Sequence, residues 1–71
     1  MIVEAGQVWN DTDRKYRPRR QIRIERIEQR GLWRVARIVA RQGEQPWHHV
    51  TRFIRLDRIP KRFKLHEEPT P

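Results

Sequence analysis

Glycine or proline interrupts this chain about once every dozen residues, and that punctuation leaves no room for a long helix. Gly6, Pro18, Gly31, Gly43, Pro46 and Pro60 mark the breaks, with short runs rich in Ile and Val between them. Short, regularly spaced strands with turn signals predict a small all-β sandwich or barrel. The chain has 71 residues, which is one domain at most and excludes a Rossmann unit, a barrel enzyme or a two-lobed cleft. A chain of this size buries only about 60% of the surface its unfolded form exposes. With 35% hydrophobic residues, each large apolar side chain matters to the core.

The apolar pattern predicts five strands. Gln7–Trp9 reads as the first. A polar loop from Asn10 to Arg20 follows, too long for a tight turn. The second strand, Gln21–Glu28, alternates Ile22 and Ile24 with Arg23 and Glu25, and then Ile27 falls out of step. A bulge near Glu25–Arg26 restores it to the core side. Gly31 and the segment Gln42–Pro46 supply the next two turns. The third strand, Leu32–Arg41, breaks parity as well. A slip near Val35–Ala36 would turn Trp33, Val35, Ala36, Ile38 and Ala40 inward, leaving Arg34, Arg37 and Arg41 to point outward together. Leu32, Val35, Ala36 and Val39 also fit a helical template, but the β-like flanking segments need a strand as partner. His48–Leu56 is the fourth strand, with Arg52 the misfit. Asp57–Pro60 reads as one tight 3₁₀ turn and Phe63–Leu65 as a short last strand. The domain is expected to span residues 1–65, with 66–71 a frayed polar tail.

Enzymatic chemistry finds little support. The chain has no Ser and no Cys, so a catalytic triad would have to be built on Thr51 with His48 and His49. On a strand those two histidines face opposite ways, which also stops them from chelating one metal ion. Asp11 and Asp13 could pair on a cation, but Arg14, Lys15 and Arg17 beside them favour a loop ordered by ion pairs and backbone N–H bonds. The expectation is therefore no catalytic residues, no metal site, no cofactor and no small-molecule substrate. Without cysteine there is no disulfide framework and no thiolate zinc site. Met1–Gly6 lacks the pattern of a signal peptide, and no apolar run approaches the length of a membrane helix. A cytoplasmic protein follows.

The strongest signal is charge. The net charge is +8, from 17 basic and 9 acidic residues. Residues 14–64 hold every basic residue against only Glu25, Glu28, Glu44 and Asp57. Such a surface attracts nucleic acid by counterion release even without base contacts. The candidate contacts are Arg14, Lys15, Tyr16, Arg17, Arg19 and Arg20 in the long loop, Arg23 on the second strand, and Arg34, Arg37 and Arg41 on the third. Trp47, Arg52 and Arg55 complete the set. Tyr16 and Trp47 would stack on bases, while Trp9 and Trp33 belong to the core. Phe53 has outward parity between Arg52 and Arg55. Arginine outnumbers lysine, which suits phosphate recognition, though a GC-rich genome produces the same ratio. The alternative partner is an acidic surface on another protein, with Trp47 or Phe53 as anchor. An exposed strand edge would also allow weak self-association beside a monomer.

Five short strands, a long first loop and one turn before the last strand resemble the SH3-like small barrel, the architecture of Tudor and KOW modules. That resemblance carries no function by itself. The segments Gly6-Gln7-Val8-Trp9-Asn10-Asp11-Thr12-Asp13-Arg14 and Ile54-Arg55-Leu56-Asp57-Arg58-Ile59 are similar to the two signatures of a group of small uncharacterised proteins from actinobacteria and their phages. The two segments cover 15 of the 71 residues. The group usually carries Pro soon after the second Asp, where this chain has Arg14-Lys15. The resemblance implies a source, host cytoplasm if phage-encoded, and no chemistry.

Overall fold

The computed structural model describes residues 2–68. Five antiparallel strands form one sheet: β1 (Val8–Asp11), β2 (Arg20–Arg30), β3 (Trp33–Gln42), β4 (His48–Arg55) and β5 (Phe63–Glu67). Their order is β4-β3-β2-β1-β5. A 3₁₀ turn (Leu56–Arg58) and one helical turn, α1 (Ile59–Arg62), connect β4 to β5. This is the small barrel-like all-β fold expected, with the long loop between β1 and β2 in place. The short connection before β5 holds a helical turn as well as the 3₁₀ turn. Pro60 opens that helical turn, where a missing N–H costs nothing. The last strand runs to Glu67, two residues past the expected Leu65, because Val8 pairs with Glu67. The end of the expected tail, residues 69–71, lies outside the described residues.

The core is a single cluster on one face of the sheet. Trp9, Ile22, Ile24, Ala36, Ile38, Ala40, Ile59 and Phe63 are buried in it, and Ile27, Val50, Ile54, Leu56 and Leu65 pack against its margin. Trp9 is 1% exposed, and its indole N–H donates to the Gln7 side-chain carbonyl at 3.1 Å. Gln7 is itself buried and ties down the segment before β1. Its Oε1 also accepts from Glu4 N at 2.8 Å, and its amide donates to the Ile2 carbonyl.

The β2 bulge falls where the broken alternation placed it. Ile24 pairs with Ile38 and Arg26 with Arg37, so Glu25 is the extra residue. From there Ile27 meets Ala36 on the core side.

In β3, however, no slip occurs at Val35–Ala36. The register with β2 runs unbroken from Arg37 to Trp33. Ala36, Ile38 and Ala40 therefore face the core, while Trp33, Val35, Arg37, Val39 and Arg41 line the other face. Two corrections follow. Trp33 is 51% exposed and is not a core residue. Arg34 does not join Arg37 and Arg41, because its parity is that of Ala36, and it is exposed beyond the end of the core. Alternation broke here because both faces of β3 bury apolar groups. Val35 and Val39 are 6% and 3% exposed on the face away from the core.

The second irregularity lies in β4. Arg37 pairs with Phe53, but Val39 pairs with His49. One residue of β3, Ile38, thus stands against three of β4: Val50, Thr51 and Arg52. This wide bulge on an edge strand resolves the Arg52 misfit by turning its side chain out to solvent.

Candidate nucleic-acid interface

The expected basic residues divide into three groups once folded. The first lies on the outer face of β2, β3 and β4. Arg23 and Arg41 both lie over the Trp47 ring, at 5.0 and 4.3 Å from its centroid. Arg30 and Arg37 lie over Phe53 at 3.8 and 5.2 Å. Arg55 lies over Trp33 at 3.5 Å. Arg23 is the β2 partner of Val39, and Arg41 follows two residues along β3. A ring shared by those two guanidinium groups spans the row that contains Val39. Trp47 was expected to stack on bases, but it already carries two cations of its own chain.

The second group is the β1–β2 loop. Its carboxylates act as loop organisers, as expected. Asp11 Oδ1 accepts from Asp13 N at 2.9 Å, and Asp13 Oδ1 accepts from Lys15 N at 3.0 Å. Tyr16 is half-buried, with Lys15 and Arg20 over its ring at 5.2 and 5.3 Å. Arg20 also donates to the Tyr16 hydroxyl at 3.2 Å and lies 3.8 Å from the buried Asp11 Oδ2. Tyr16, Lys15 and Arg20 are thus engaged within the loop, whereas Arg14, Arg17 and Arg19 are exposed on it. Both ends of the loop are anchored. Thr12 Oγ1 donates to the Arg62 carbonyl at 2.7 Å, and Gly43 N donates to the Arg19 carbonyl at 3.0 Å.

The third group was only partly visible in the sequence. Where edge strand β4 faces the 3₁₀ turn, α1 and the start of β5, a cleft of about 280 Å³ opens. Ile38, Val50, Ile54 and Phe63 give it apolar walls, and Arg20, Arg52, Arg55, Arg58 and Arg62 line it with charge. No carboxylate is among the lining residues. The β4 bulge creates this opening. It leaves Ile38 without an in-register partner on β4 and displaces Val50–Arg52. Arg58 and Arg62 were not among the contacts expected from the sequence. Their convergence with Arg52 depends on how the helical turn folds back, which spacing alone does not give.

Among the described residues, six of the basic side chains have a carboxylate oxygen within 4.0 Å. They are Lys15, Arg20, Arg23, Arg26, Arg30 and Arg55. Arg55 makes the best-formed pair, donating to both Asp57 oxygens at 3.1 and 2.8 Å. Those hydrogen bonds hold the Asp57 carboxyl below its ordinary value. Among the described residues Arg14, Arg17, Arg19, Arg34, Arg37, Arg41, Arg52, Arg58 and Arg62 have no such partner, nor do Lys61 and Lys64. Four acids in the basic stretch are too few to neutralise it, and geometry decides which cations are left over.

Among the described residues no three His, Asp or Glu side chains gather as metal ligands, and no helix is long and apolar enough to cross a membrane. Comparison with protein-family models, curated proteins and solved structures finds no match to this chain.

Proposed function

We propose that this protein is a non-enzymatic module that binds nucleic acid through phosphate contacts. The contacts come from Arg14, Arg17 and Arg19 of the first loop and Arg52, Arg58 and Arg62 of the cleft. The observation that carries this reading is the cleft itself, where Arg52, Arg58 and Arg62, none with a carboxylate within 4.0 Å among the described residues, meet Arg20 and Arg55. Like charges held together raise the energy of the free protein, and a polyanion relieves that repulsion. Guanidinium groups also match phosphate oxygens with paired N–H donors. Of the stacked arginines on the outer face, Arg37 and Arg41 have no carboxylate within 4.0 Å among the described residues and add to the field. Phosphate contacts position a strand without reading it, so sequence preference is low.

The test is fluorescence anisotropy with labelled DNA and RNA oligonucleotides across a salt series. About five phosphate contacts imply a loss of roughly a hundredfold or more in affinity between 50 and 200 mM salt. Replacing Arg52, Arg58 and Arg62 with Gln should lower the slope of log affinity on log salt by about 2–3. Weak salt dependence would overturn the proposal. So would no binding at low salt, combined with capture of an acidic protein that survives nuclease.

A further inference from the structure

The cleft has a feature that phosphate binding leaves unused. Its arginines share the lining with apolar side chains, Ile38, Val50, Phe53, Ile54 and Phe63. Ile38 and Phe63 belong to the core, and the cleft leaves that margin, with Val50 and Ile54, open beside the arginines. A volume of about 280 Å³ corresponds to about nine waters at roughly 30 Å³ each. That leaves room for one nucleobase with solvent beside it, just under the ~300–1,000 Å³ of typical small-molecule sites.

We infer that the cleft receives one unpaired base of single-stranded nucleic acid. The base lies against the apolar floor, while its flanking phosphates meet Arg52, Arg58 and Arg62. This deepens the nucleic-acid reading above and rests on it. The choice of occupant follows from charge complementarity. A ligand that suits both kinds of lining carries negative charge beside a weakly polar body, and presents that body free of a partner. A base inside a duplex is stacked and paired, and reaches such a cleft only at the cost of unstacking. A single strand offers its bases without that cost, and stacking or apolar contact with them is insensitive to sequence.

The experiment compares three probes of about 12 nucleotides on the unaltered protein at one salt concentration. They are an oligothymidine strand, the corresponding abasic strand, and a duplex of equal length. The abasic strand keeps every phosphate and loses only the bases. The expected result is binding of the oligothymidine at least about tenfold tighter than the abasic strand, and tighter than the duplex. A Val50→Trp variant, which fills the cleft from the bulged part of β4, should reduce oligothymidine binding to the abasic level and leave the salt slope unchanged. Its folding is checked by thermal melting, and the three-probe comparison stands without it. Equal binding of the abasic strand and oligothymidine would overturn the inference while leaving the phosphate-binding proposal intact. Failure of all three probes to bind at low salt would overturn both.

Discussion

Arg55 stacks on Trp33, with its guanidinium carbon 3.5 Å from the ring centroid, and the same guanidinium is bonded to Asp57. A tryptophan that spacing assigned to the core is instead half-exposed and held in place by an arginine. The two tryptophans at either extreme should therefore differ sharply. Trp33→Ala removes an exposed stack and should cost about 0.5–1 kcal/mol. Trp9→Ala empties the centre of the core and should cost about 3–5 kcal/mol, much of the ~5–15 kcal/mol that holds a typical domain together. Denaturant unfolding of both variants measures the difference. Equal costs would show that Trp33 is structural.

Gly31 and Gly43 both have positive φ, at 59° and 63°, but their surroundings differ. A Cβ at Gly31 meets nothing within 4 Å, whereas one at Gly43 comes 2.7 Å from Pro18 Cγ. Gly31→Ala should cost only the backbone penalty of about 1–2 kcal/mol. Gly43→Ala should cost at least about 1 kcal/mol more, because a packed ring must move. Combining it with Pro18→Ala should recover part of that excess. A double-mutant cycle reads the coupling directly. Equal losses for the two glycines would show that the loop moves aside without cost.

Asp11 is buried, with Oδ1 accepting the Asp13 N–H and Oδ2 facing Arg20 without a hydrogen bond. Asp11→Asn keeps the Oδ1 acceptor. Asp11→Ala removes it and leaves Arg20 without its carboxylate. The alanine variant should lose about 1–3 kcal/mol and the asparagine variant less, as followed by thermal melting. Equal losses would mean that the charge, which both variants remove, and not the Oδ1 bond, holds the loop.

Asp57 supplies a pH dependence of known sign. Its hydrogen bonds from Arg55 lower its pKa below the usual 3.8. A carboxylate depressed on folding stabilises the fold above its unfolded pKa. That contribution is lost as pH falls through the folded pKa. The Asp57 contribution is thus complete at neutral pH and disappears in the acid range below the ordinary carboxylate value. The group is exposed to solvent, so the effect is small. Melting temperatures of the unaltered protein and Asp57→Asn should converge as pH falls through that range. A gap that persists below it would assign the stabilisation to another group.

Several elements were legible without coordinates. Ile22 and Ile24 alternating with Arg23 set the faces of β2, and the displaced Ile27 revealed its bulge. Gly31 and Gly43 marked turns that need positive φ. The candidate site was less legible. Arg14, Arg17 and Arg19 in the first loop were visible as a cationic run, and the loop does hold them in solvent. Trp47 and Tyr16 were visible as loop aromatics, but their own arginines and lysine occupy them. Arg58 and Arg62 gave no sign of meeting Arg52.

The sequence by itself determined the all-β class, the strand succession and the excess of positive charge, because alternation, turn residues and counting are local properties. Which faces of β3 are covered, which arginines find a carboxylate or a ring, and where a cleft opens were decided only by tertiary structure. Those outcomes depend on register, and one bulge in β4 sets residues distant in the chain against each other. The same bulge places Arg52 in solvent and leaves Ile38 without an in-register partner on β4. No pattern within a single strand specifies a gap between that strand and a segment folded back against it.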